Sequence, residues 1–135
     1  MPRARTAYPA FDQAAASGPK SAGDTVIPVL SAIDNGTEDS DGTNNALITT
    51  TKGTGRMYWA VTADAGTLTK EQVVFPTTHA LELTSGSIAV SAAGVVTLTT
   101  VSGLNPSTAY ELFFVHVDGN GNMSAAATVG FTTTV

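Results

Sequence analysis

Apolar and polar residues alternate with a period of two over most of the second half of this chain, a pattern that predicts strands rather than helices. The longest run is 110–118, where Tyr110, Leu112, Phe114 and His116 fall on one side and Phe113, Val115 and Val117 on the other. Residues 94–102 set Val95, Thr97, Thr99 and Val101 against Val96, Leu98 and Thr100. Residues 125–134 set Ala125, Ala127, Val129 and Phe131 against Ala126, Thr128, Gly130 and Thr132. Upstream, 46–51 is a short β-branched strand, and the Lys52-Gly53-Thr54-Gly55 turn leads into a strand over 56–63 with Met57, Tyr58, Trp59 and Val61. Neighbours in a strand face opposite ways, so Trp59 is expected to plug the core and Tyr58 to face outward. A first strand is expected over 25–33, at an edge or bent, because Pro28 has no N–H for a central ladder.

The connecting segments are polar. Residues 34–45 hold the turn-forming run NGTEDSDGTN. After a loop over 64–69, Thr69 and Gln72 have the spacing of a capping box, which predicts one short helical turn ended by Pro76. Brief alternation at Leu81 and Leu83, and again over 87–91, brackets an expected turn at Gly86. About seven short strands with no long helix make an antiparallel β-sandwich the economical all-β solution. Residues 1–23 are punctuated by Pro2, Pro9, Gly18, Pro19 and Gly23 and follow neither period, so they read as an extended N-terminal arm, with the sandwich over 24–135. A flexible tail is one reading of that arm. The other makes Tyr8, Pro9 and Phe11 an apolar anchor that orders on a neighbouring subunit, with Arg3 and Arg5 meeting its carboxylates.

The stretch 101–124 is the most specific. Gly103-Leu104, a turn at Asn105-Pro106-Ser107, then Thr108 and Tyr110, have the spacing of a strand crossing between two sheets, with the Tyr110 ring in the core and its hydroxyl bonded to nearby backbone. Together with Asp118, Gly121, Asn122 and Ser124 these residues resemble the fibronectin type III family. The resemblance implies a seven-stranded antiparallel sandwich in which Tyr110, Leu112, Phe114 and His116 point inward. Phe113, Val115 and Val117 then point outward and, with Tyr58, build an apolar sheet face of the size that marks an interface. The alternative is that residues 64–93 fold back over this face within one subunit.

Composition narrows the functional classes. Only 13% of the 135 residues are charged, the formal net charge is -5, and cysteine is absent. Clustered cations that could displace counterions from a nucleic-acid backbone are lacking, so nucleic acid is not an expected partner. Disulfides and thiolate chemistry are not available. Neither a secretory signal with a continuous apolar region nor a stretch apolar enough to cross a bilayer is seen, so a membrane is not expected either.

Catalytic patterns do not emerge. His79 reads as a surface residue and His116 as a hydrogen-bonded core residue near a sheet end. Glu71, Glu82 and Glu111 fall on separate elements, and neither a nucleophile elbow nor a phosphate-binding loop is present, so no enzyme and no cofactor are expected. Two acidic loops resemble fragments of a calcium site. They are Asp34, Glu38, Asp39 and Asp41, and 118–122; both lack the closing bidentate Glu.

The chain resembles the small stand-alone fibronectin-like and immunoglobulin-like domains found on tailed-bacteriophage particles, and the resemblance implies a virion structural protein, a capsid decoration or head or tail accessory. Its expected partners are the major capsid or other virion proteins and sister copies, a trimer by analogy with lattice symmetry, with host-surface glycans at exposed loops. The interface residues so assigned are Tyr8, Pro9, Phe11, Tyr58, Phe113, Val115 and Val117. The competing reading is a carbohydrate-binding or adhesive module, for which Tyr8 and Trp59 are the candidate aromatics.

Overall fold

The computed structural model describes residues 24–75, 83–98 and 100–135. In chain order the strands are β1 (Leu30–Asp34), β2 (Thr37–Glu38), β3 (Thr43–Asn44), β4 (Leu47–Thr50) and β5 (Arg56–Ala63). A short helix α1 (Lys70–Val74) precedes β6 (Thr84–Ala89), β7 (Gly94–Thr97), β8 (Thr100–Val101), β9 (Ala109–Val117) and β10 (Ala127–Thr132). The architecture is all-β and the named pairings are antiparallel.

Two sheets carry the fold, one ordered β1-β4-β7 and the other β10-β9-β5-β6. The centre of the larger sheet is the β5–β9 ladder, with Trp59 opposite Phe114 and Val61 opposite Leu112. Met57, Trp59, Val61, Leu112, Phe114 and Phe131 of this sheet meet Ile48 and Val96 of the smaller one in a single buried cluster. Each sheet thus hides one apolar face against the other, a sandwich-like solution to the alternation in the sequence. Trp59 sits inside and Tyr58 on the opposite face, as the strand periodicity requires.

The outer face of the larger sheet is covered by the chain itself. Leu68 and Val73 pack onto Ala60, Phe113 and Val115, and Tyr58, Val74, Val117 and Met123 close the margins. The helix forms where the capping box placed it: the Thr69 side chain accepts from the Gln72 N–H, and the Gln72 side chain accepts from the Thr69 N–H. Its single turn aims Val73 at the sheet.

Four local expectations are corrected. Gly86 lies within β6, directly opposite Trp59, rather than at a turn. A Cβ there would come within 2.7 Å of the indole, so the glycine makes room for the largest core side chain. The run 94–102 is two strands in different sheets: Val96 and Leu98 are buried, and after the change of sheet Val101 is. The polar segment 34–45 holds β2 and β3, and β3 pairs with β2 on one side and β8 on the other in a small third sheet. The first strand starts only at Leu30, two residues beyond Pro28, although the Val29 carbonyl already accepts the Thr51 N–H and the Val29 N–H donates to the Thr51 hydroxyl.

Candidate functional site

Asp118, Gly119, Asn120, Gly121 and Asn122 fold the β9–β10 connection into a self-bonded turn. Asp118 Oδ1 accepts the N–H groups of Asn120 and Asn122 at 2.9 Å each, and the Gly121 N–H reaches the Asp118 carbonyl at 3.0 Å. The turn is braced from the β4–β5 connection, where Thr54 Oγ1 accepts the Gly119 N–H at 2.9 Å. Gly55 is obligatory here: it has φ +84°, and a Cβ would stand 1.9 Å from the Val117 carbonyl oxygen.

This pole captures the chain entering the domain. Lys52 Nζ lies 3.0 and 3.2 Å from the two Asp24 carboxylate oxygens and 3.6 Å from Asp118 Oδ2. Asn120 Nδ2 donates to Asp24 Oδ2 at 2.6 Å, while Asn122 Nδ2 donates to the Asp24 carbonyl and to Asp118 Oδ2. The Lys52 ammonium, then the Asn120 amide, hold the Asp24 carboxyl below the usual carboxylate range. Burial alone would raise Asp118, but the Asn122 N–H and amide, the Asn120 N–H and Lys52 outweigh it and the group is lowered. Both carboxylates are therefore ionised and engaged. The arrangement is a clamp on residue 24, not an acid/base pair. Sequence reasoning missed it because Asp24 and Asn120 are 96 positions apart, and no local pattern announces their meeting.

His116 is the buried, hydrogen-bonded core residue expected. Its Nε2 lies 2.6 Å from the Thr54 carbonyl, an acceptor only, so that nitrogen carries a hydrogen; Nδ1 lies 2.7 Å from the Thr50 hydroxyl. His79 lies outside the described residues.

The acidic loop spends its carboxylates internally. Asp34 Oδ1 accepts the Gly36 N–H, Glu38 accepts the Asn35 amide, and Asp39 accepts the Asn44 amide at 2.6 Å and the Asp41 N–H at 3.1 Å. The Asn44 amide, then the Asp41 N–H, lower the Asp39 carboxyl. Among the described residues no three His, Asp or Glu side chains gather where a metal ion would be held.

The expected interface set is redistributed. Tyr8, Pro9 and Phe11 lie outside the described residues. Phe113 and Val115 are buried beneath 64–75 of their own chain, with Tyr58 and Val117 half-buried at its margin, so the sheet face they form is an internal seam. The helical turn covers it because the capping box directs Val73 and Leu68 onto it. Trp59, 8% exposed, is core and offers no stacking surface to a sugar.

Exposed apolar surface lies elsewhere. Val26, Ile27 and Val29 are 64%, 48% and 57% exposed, immediately after the clamped Asp24. Beside them, exposed Ala125 and Ala126 precede β10, and residues 27–30 with 125–127 line an apolar notch of about 160 Å³. No protein-family model matches the chain, and no curated protein matches it.

Proposed function

We propose that this chain is a non-enzymatic structural protein of a tailed bacteriophage particle, a capsid decoration or head–tail accessory built on a fibronectin type III-like sandwich. It binds virion proteins and its own copies through residues 1–23 and the apolar surface at their root. The observation that carries this reading is the exposed strip Val26, Ile27 and Val29 beside Ala125 and Ala126, set where the N-terminal segment joins the body. Three large aliphatics on one extended segment are costly in water and mark a surface meant to be covered. The clamp on Asp24 fixes that strip to the body, so it is preorganised for a partner. The fibronectin-like assignment is supported by the three-plus-four strand order and by the bond from the Asn105 N–H to the Tyr110 hydroxyl.

The test is co-expression with the major capsid protein of the same genome, followed by sedimentation of the assembled shells. The protein travels with the shells, and Val26→Asp with Ile27→Asp, or deletion of residues 1–23, leaves it at the top of the gradient. A wild-type chain that never joins shells or tails overturns the proposal.

A further inference from the structure

β10 is the outermost strand of its sheet, and its six residues, ATVGFT, contain neither a charge nor a proline. Natural edge strands are normally blunted by lysine, proline or a bulge, because their unpaired N–H and C=O groups template another strand. The apolar notch opens at the start of this edge, beside 125–127. At its far end lies the acidic loop, since the Thr134 N–H donates to the Asp39 carbonyl at 2.9 Å; Asp34 and Asp41 there are exposed. The edge therefore runs from an apolar socket to a negative rim.

The N-terminal segment carries the complementary order. Of the six basic residues, Arg3, Arg5 and Lys20 fall within 1–23 against the single Asp12, whereas 24–135 holds ten acidic residues against three basic ones. Phe11 lies six positions after Arg5, about 20 Å in an extended strand, which is the distance from Ala127 to Thr133 along the edge. Laid antiparallel to β10, the segment brings Phe11 to the notch as Arg5 and Arg3 reach the acidic rim.

We infer that β10 is a strand-acceptor site whose occupant is residues 3–11 of a second copy of this chain. This deepens the assembly reading above and rests on it. Backbone hydrogen bonds along β10 hold the incoming strand and the notch fixes its register, the division of labour found when a peptide extends a sheet. Pro9 is tolerated because an added edge strand leaves one side unpaired. The donor is a sister copy: residues 12–23 span up to about 40 Å when extended, far enough for Phe11 of one body to reach the notch of the next. Sister bodies of like charge are also bridged by the cationic segment.

The absence of cysteine makes the test clean. Ala10→Cys protein, which keeps Phe11 and carries an affinity tag, is mixed with untagged Ala126→Cys protein and oxidised, and the products are separated without reductant. The expected product is a tagged–untagged covalent dimer, whose yield falls about tenfold when Arg3→Glu and Arg5→Glu are added to the tagged protein, or in high salt. In the double variant Ala10→Cys/Ala126→Cys, multimeric ladders support the inference. An internally cross-linked monomer assigns the site to the chain's own segment and overturns it, as does the absence of any mixed dimer. Ala126 is exposed, so its replacement leaves the core intact, and circular dichroism verifies the fold. A protein that still sediments with shells but forms no mixed dimer sinks this inference alone; one that cross-links yet never joins shells sinks only the virion reading.

Discussion

The Asn105 N–H donates to the Tyr110 hydroxyl at 2.9 Å, pinning the turn before β9 to the strand that follows it. The ring is buried beside Phe131, with centroids 5.8 Å apart, so the hydroxyl is held by packing as well as by its bond. Tyr110→Phe keeps the ring and leaves the amide without its acceptor. It should cost about 1–2 kcal/mol, read as a lower urea midpoint with an unchanged slope.

Gly86 and Trp59 share one layer of the core, and the indole occupies the volume a side chain at 86 would need. Gly86→Val forces the ring or the β6 backbone to move. A loss of about 2–3 kcal/mol should accompany a red-shifted tryptophan emission, which is specific because Trp59 is the only tryptophan.

Phe113 distinguishes an internal seam from a docking face. Its contacts are to Leu68, Val73 and their neighbours in the same chain. Phe113→Ala should therefore lower stability by about 3–4 kcal/mol while the mass by light scattering stays that of the parent protein. A variant of full stability and altered mass would show that the ring serves a partner instead.

Asp118 gives the fold a dependence on acid. Its folded carboxyl titrates below the ordinary value of about 3.9, so at acidic pH the unfolded chain binds the proton first. The stabilisation is whole above that value and is lost as pH falls through the lowered one. Urea midpoints should be flat from pH 7 to about 5 and decline from there toward pH 2 to 3. In Asp118→Asn the decline should be shallower and the midpoint at pH 7 lower.

Strand content was legible in the sequence because period-two alternation reports a buried face wherever one exists. The span 56–63 and the capping box at Thr69 and Gln72 appear in the structure as read. Gly86 misled because a glycine that vacates space for an indole looks, in sequence, like a turn. The change of sheet between Leu98 and Val101 was hidden because β-branched and threonine residues suit either face. The clamp on Asp24 was hidden for a different reason: it joins segments whose nearness is a product of the fold, and Asp, Lys and Asn in turns are unremarkable in isolation.

Because Asp24 is moored to Lys52 and to the β9–β10 turn, tension on the N-terminal end does not peel β1 from its sheet one bond at a time. The pull passes first into Lys52, Asn120 and Asn122, which must yield together, and then into the pairing of Val29 with Thr51. Load applied at this end therefore meets three polar side chains at one corner before it meets the ladder of β1.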